Sequence, residues 1–410
     1  MAESTSEQQW GKQSVVLSGG GADGAYEVGV LKALLAGKSS GTQYVPLDPD
    51  IFCGTSIGSF NASFLVSKWR QHGRAAISDL ENVWLDALAE KPQGGGNGGY
   101  RFRANPLDYL DPRYYLPNPI RPLIQLAGDT FDLSWEGLQR SVHLLRSNEP
   151  LPERVLTFVN LSSFVIREPL ERTVKETIDF DEIRYSPKKL IIAATNWEIG
   201  RVEYFVNKDM TGTLGPLAIL ASSAIPGFFP ATPVGAIPYV DGGVLMNTPV
   251  EPAIDEGANT VHVIYMDPDV KNMPMADIEN TLQTFYRLQL ITWAKTVNQD
   301  IDGEGLINDM ARLLEAVDPA SRDIIESRLQ ETNPKSKIAR RLTRDPVYRS
   351  VTIHRYHPRE DLGGVLGFLN LNRDRIKNLM EEGFIDAMDH DCVESKCVLA
   401  NKPETLNTGG

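Results

Sequence analysis

The stretch Ile51-Phe52-Cys53-Gly54-Thr55-Ser56-Ile57-Gly58 passes from a short apolar run into a helical one, with small residues on both sides of Ser56. Small residues there allow a sharp strand-to-helix turn, the context that a G-x-S-x-G elbow needs to lift a serine hydroxyl clear of a sheet. The plainer alternative is a serine that only caps the helix starting at Ile57. Outward from this point, apolar runs bounded by glycine alternate with amphipathic segments. Strands are expected at 14–17 and 51–53 and helices at 24–36 and 57–69, with further strands at 155–160, 190–194, 202–206, 239–240 and 261–266. That alternation predicts an α/β fold with a largely parallel central sheet flanked by helices.

A second glycine-rich turn, Gly19-Gly20-Gly21-Ala22-Asp23-Gly24, follows the first strand and opens the first helix, so its backbone N–H groups should converge on an anion site. It also satisfies the dinucleotide pattern G-x-G-x-x-G, with Asp48 and Asp50 as the acids downstream, and a dinucleotide-binding oxidoreductase is one rival reading. A tight turn that binds nothing is another. If Ser56 is a nucleophile it needs a base and an oxyanion hole. The first loop supplies the hole, because parallel neighbouring strands end on the same side of a sheet. For the base, Asp241 in Tyr239-Val240-Asp241-Gly242-Gly243 ends a strand in a turn, although an Asp there can simply form its own turn. Among six histidines, His354 at the end of a strand expected at 350–354 is the one that could complete a Ser-Asp-His order. Phe228 and Phe229, set among prolines in the segment 221–230, suit either an acyl-chain wall or core packing.

Taken in order, Gly19-Gly20-Gly21-x-x-Gly24, Gly54-Thr55-Ser56-Ile57-Gly58, the 222–230 segment and Asp241-Gly242-Gly243 resemble the patatin-like phospholipase family over roughly residues 14–266. The resemblance implies a three-layer fold and a Ser-Asp dyad without histidine: Ser56 the nucleophile, Asp241 the base, and the amides of Gly20 and Gly21 the oxyanion hole. It implies a carboxylic-ester hydrolase of the phospholipase A or lysophospholipase type, acting on fatty-acyl esters of lipids with no metal and no cofactor. One departure stands out. The family's loop usually carries Arg or Lys where this chain has Asp23, which raises the rival of a catalytically impaired module that binds lipid or a partner protein.

The 410 residues carry 41 Lys and Arg against 54 Asp and Glu, a net charge of −13, which argues against a nucleic-acid partner. The uncharged stretch from Met210 to Val240 is long enough to span a bilayer but holds five prolines, which rule out a spanning helix. With no apolar leader in residues 1–12, a cytoplasmic protein is expected, peripheral on a membrane when it meets a lipid substrate. Three cysteines make no disulfide framework; Cys53 reads as a buried strand residue, and Cys392 and Cys397 as tail residues lacking histidines at zinc spacing. The expected organisation is a catalytic domain at 13–270 with a lid-like insertion at about 91–152 beginning in a glycine run. A helical C-terminal region at 271–390 follows, closed by a helix at 372–388, and then a disordered tail at 391–410. Six basic residues against one acid mark 335–349 as a solvated helix face or a lipid-docking surface.

Overall fold

A computed structural model describes residues 11–91, 96–102, 165–266, 281–333, 336–342, 350–362 and 364–400. Its strands are β1 (Lys12–Leu17), β2 (Ile51–Thr55), β3 (Arg101–Phe102), β4 (Val165–Ile166), β5 (Lys189–Asn196), β6 (Arg201–Val206), β7 (Thr232–Val234), β8 (Ile237–Asp241), β9 (Ala258–Ile264) and β10 (Thr352–Tyr356). Among the described residues, eight of them form one sheet in the order β10-β9-β1-β2-β5-β8-β7, with β6 also paired to β5. The pairs from β10 across to β5 are parallel, and those that β5 makes with β6 and β8, and β8 with β7, are antiparallel.

The central strands β1, β2 and β5 are largely buried on both faces, and their side chains divide with the period of two that a pleated strand imposes. Val15, Leu17, Phe52, Leu190 and Ile192 join one core cluster, together with α1 (Gly24–Leu35), α2 (Ile57–His72), α3 (Ala76–Val83) and the helix Arg373–Met388. Val16, Ile51, Cys53, Ile191, Val261 and Val263 join the other, together with the helix Val250–Asp255 and Val297 and Ile301 of the long helix Thr281–Glu315. The result is the three-layer arrangement expected. The C-terminal region is helical at Thr281–Glu315, Pro319–Thr332 and Lys337–Leu342, yet it also supplies β10 to the sheet and a helix to the α1 layer.

One register decides where the site falls. Residues 191–193 of β5 pair with β2 and with β6, and residues 194–196 pair with β6 and with β8. A strand has two edges, so β2 and β8 must share the edge opposite β6. They run toward each other along it, β2 ending with Thr55 beside Ala193 and β8 with Asp241 beside Ala194.

Two expectations change. Residues 391–400 are not a free tail: turns at 392–396 lead to Val398, which exchanges both backbone hydrogen bonds with Ile353 of β10, at 2.7 and 3.0 Å. The acids of the dinucleotide reading stand at the wrong end of the sheet. Asp50 is hydrogen-bonded to Gln13 at the start of β1, and Asp48 pairs with Lys188 before β5, whereas the glycine turn lies at the strands' carboxyl ends. The strand expected at 155–160 and most of the insertion lie outside the described residues, as does much of the 335–349 basic run. At the insertion's root, β3 and β4 pair antiparallel.

Candidate active site

Thr55 closes β2, and the chain then turns at Ser56 with φ +53° and ψ −124°, a left-handed backbone that a non-glycine residue adopts only when its surroundings enforce it. Several contacts enforce it here. The Ser56 N–H donates to Ser222 Oγ at 2.8 Å, whose hydroxyl donates to Ala193 O at 2.7 Å, while Ser59 Oγ donates back to Ser56 O at 2.5 Å. A Cβ on Gly58 would lie 2.5 Å from Leu17 O, so only glycine lets α2 start this close to β1.

Asp241 arrives from the opposite direction. Its N–H donates to Ala224 O at 2.9 Å, its carbonyl accepts from Thr195 Oγ1 at 3.0 Å, and its Oδ1 accepts from Gly243 N–H at 2.7 Å. Trp293, from the long C-terminal helix, donates Nε1–H to Gly243 O at 2.6 Å and so braces the turn. Asp241 and Ser56 are each 4% exposed. Burial pushes the Asp241 carboxyl up to about 7, against the opposing pull of the Gly243 amide and the Ser56 hydroxyl. Oδ2 is buried with no aligned hydrogen-bond partner among the described residues, so the serine hydroxyl is near enough to favour the ionised form without being directed at that oxygen in this rotamer.

The glycine turn closes over the pair. Gly19 N–H donates to Asn247 Oδ1 at 3.1 Å and Asn247 Nδ2 donates to Gly19 O at 3.3 Å, which ties this turn to the segment that follows Asp241. A Cβ at Gly19 would sit 2.9 Å from Ser56 Cβ. Gly20 and Gly21 follow, Gly21 with φ +60°, just ahead of α1, and among the described residues neither amide donates a hydrogen bond within the protein. Beneath the turn Glu27 is fully buried. Its Oε2 accepts from Asn61 Nδ2 at 2.8 Å, and burial drives its carboxyl well above the usual range against the opposing pull of that hydrogen bond.

Asp23 does not bring a bare negative charge to the turn. Its carboxylate is paired with Arg375 of the helix Arg373–Met388, and Arg375 also donates to Leu362 O at 2.7 Å and Asn370 O at 3.2 Å. Burial raises the Asp23 carboxyl to about 6, with Arg375 opposing the rise. The Asp23 charge is thus offset by a residue 352 positions away.

Ser56 opens onto a cavity of about 70 Å³ whose lining is mainly apolar and includes Gly21, Ile57, Trp84, Tyr100, Phe229 and Phe368. Phe229 lines this cavity and packs in one apolar cluster with Phe228, which meets Phe368 edge-to-face at 5.1 Å. A larger cavity of about 360 Å³ is lined by Gln13, Pro46, His262 and His354 and touches neither Ser56 nor Asp241. Gly24 and Gly54 complete the two turns, and Gly242 lies against Ala193 O.

His354 is not at this site. It pairs with His262, which pairs with Val15, which pairs with Phe52. Three interstrand steps put it roughly 14 Å sideways from β2, level with a residue four positions before Ser56. Together with His390, Cys392 and Cys397 it forms a separate cluster, which corrects the view that these cysteines lack partner histidines. Sequence reasoning also missed Asn247, Ser222, Trp293, Arg375 and Glu27. Ser222 stood inside a quoted motif; the others had no local signal.

A serine on an enforced elbow, a buried carboxylate and a glycine turn thus come together at one place on a three-layer α/β fold. The family model for patatin-like phospholipase matches residues 15–254, more than half of the chain, and the chain belongs to that family. No curated protein matches the chain in sequence. Among solved structures, VipD from Legionella pneumophila is similar at 15% identity and a TM-score of 0.35, over 92% of this chain and 66% of that one. No helix among the described residues is long and apolar enough to cross a membrane.

Proposed function

We propose that the protein is a lipid acyl hydrolase working through a Ser56–Asp241 dyad and an acyl-enzyme. The observation that carries this reading is the meeting of β2 and β8 end to end on one edge of β5, which sets Ser56 beside a carboxylate poised near neutrality. Ionised Asp241 takes the Ser56 proton as the hydroxyl oxygen attacks the acyl carbonyl. The oxyanion that forms accepts from the amides of Gly20 and Gly21 at the start of α1. Collapse breaks the ester bond, and Asp241 returns its proton to the departing alcohol. Water, deprotonated by the same carboxylate, then releases the fatty acid and restores Ser56. Asp23, paired with Arg375, does not set a lone negative charge against that oxyanion.

An apolar cavity at Ser56 supports an acyl chain as the group bound. Leu245, beyond the Asp241 turn, and Leu288 and Ile291, on the helix that carries Trp293, are exposed apolar residues that fit contact with a lipid surface. Peripheral attachment of a cytoplasmic protein is the matching location. The test is a panel of phospholipid, lysophospholipid and neutral esters assayed with wild type and Ser56→Ala, alongside labelling by a fluorophosphonate. Hydrolysis and labelling that both vanish in Ser56→Ala support the proposal. A wild-type protein that neither labels nor hydrolyses any ester would leave the impaired binding module as the better reading.

A further inference from the structure

Four ligand-type side chains gather at the sheet edge farthest from β7. His354 comes from β10, and His390, Cys392 and Cys397 come from the segment just after the helix Arg373–Met388. Their donor atoms all lie within 4.8 Å of one another. Cys392 Sγ is 3.4 Å from His354 Nδ1 and 3.6 Å from His390 Nε2, and Cys397 Sγ is 3.5 Å from His390 Nε2. A tetrahedron built with Zn–S near 2.3 Å and Zn–N near 2.0–2.1 Å has sulfur-to-nitrogen edges of about 3.5–3.6 Å. The spacing here already matches those edges.

The surroundings are those of ligands fixed in place. His390 turns Nε2 to the sulfurs while Nδ1 lies 3.4 Å from Ser395 Oγ, so the second ring nitrogen has an orienting partner. The ring of His354 stacks on that of His262 at 5.2 Å, and Tyr356 packs on His390 at 4.4 Å. The backbone N–H of Arg355 donates to Cys397 Sγ at 3.3 Å, which fixes the direction of that side chain. Ser40 Oγ holds the His390 carbonyl at 2.6 Å.

We propose that His354, His390, Cys392 and Cys397 bind one zinc ion in a closed tetrahedral Cys2His2 site. Two sulfurs and two imidazoles in a tetrahedron select zinc over the hard oxygen-seeking cations. Two thiolates balance the charge of the ion, and their two protons pass to solvent on binding. Four protein ligands leave no open position, so the ion is structural. It fastens the segment that carries Val398 onto β10, which covers an edge strand that would otherwise present unpaired backbone groups.

The test is metal analysis of the tag-free, full-length protein grown with zinc and purified without chelator. About one zinc per chain is expected, falling at least tenfold in Cys392→Ser and Cys397→Ser. Reconstitution with cobalt(II) should give the visible bands of a tetrahedral thiolate complex in wild type and not in either variant. A chelator should lower the melting temperature of wild type and leave that of Cys397→Ser unchanged. Wild-type protein holding no more zinc than the variants, with no tetrahedral cobalt spectrum, would overturn the proposal. So would a Cys392–Cys397 disulfide in the native protein, found as a mass two hydrogen atoms lower that shifts on reduction.

Discussion

Asp241 and Asp23 occupy similar places in the fold and have opposite surroundings. Asp241 ends β8 just before a 3-10 turn, Asp23 closes the 3-10 turn that follows β1, and each is buried. Asp23 has a guanidinium against it; Asp241 has an amide, a serine hydroxyl and a buried oxygen with no aligned partner. Burial raises both carboxyls, Asp241 to about 7 and Asp23 to about 6. A carboxylate that is to accept a proton must lack a cation that would hold it ionised and occupied. A carboxylate that is to hold two segments together needs one. On the proposed mechanism, the two turns divide chemistry from construction.

If that division holds, Asp241→Asn should cost about 10³- to 10⁴-fold in kcat, the upper range for a general base, and Ser56→Ala at least as much. The double variant should be no slower than the worse single one, because nucleophile and base act as a unit. Steady-state kinetics on the best ester of the panel measures this. A double variant much slower than either single one would separate the two residues.

Replacing Asp23 should act on stability first. Asp23→Asn leaves the Arg375 guanidinium mostly buried and uncompensated, and Asp23→Arg sets two cations against each other. Each should lose roughly 3 kcal/mol in chemical denaturation, the low end for breaking a buried pair because both side chains retain some exposure. The loop's family resemblance alone suggests that an arginine at position 23 would raise turnover; the pairing with Arg375 reverses that expectation. A stable, faster Asp23→Arg would mean that Arg375 moves away at no cost. Swapping both residues, Asp23→Arg with Arg375→Asp, should recover part of the loss.

Ser222→Ala should have a more modest effect, about tenfold in kcat with KM little changed. It removes the acceptor of the Ser56 N–H and leaves a buried donor unmatched at the elbow, a loss of about 1–3 kcal/mol. Ser222→Thr keeps the hydroxyl and should retain more activity than Ser222→Ala. Equal losses would point to packing and away from that hydrogen bond.

These residues also mark what could be read in sequence. Ser56, Asp241 and the glycines beside them sit in turns whose shape is set by their immediate neighbours, so short motifs revealed them. Asn247, Trp293 and Arg375 act across 228, 50 and 352 positions and carry no local pattern, since each is an ordinary helix or turn residue until the sheet assembles. The edge shared by β2 and β8 is likewise a product of pairing, which period and composition do not encode. The Cys-His cluster was missed because its fourth member, His354, reaches the other three through β10 and not through chain spacing.

The pH profile separates the two aspartates with the smallest change. In the proposed mechanism Asp241 acts when ionised, so kcat/KM should rise with pH as one group loses its proton near 7 and level off above it. Stability runs the other way. A carboxyl whose folded value is raised above its unfolded one contributes stability that is fully present below the unfolded value and lost as pH rises through the folded one, near 7 for Asp241. The active form is the strained form. Asp23 titrates within a unit of this, so the assignment needs a variant. Asp23→Asn removes one negative charge and leaves Arg375 as a lone cation, which favours ionised Asp241, so the acid limb should persist and move to lower pH by a fraction of a unit. Profiles of wild type and Asp23→Asn, measured on an uncharged ester, decide the point. An acid limb near 6 that disappears in Asp23→Asn would make Asp23 the titrating group and undo the division between the two turns.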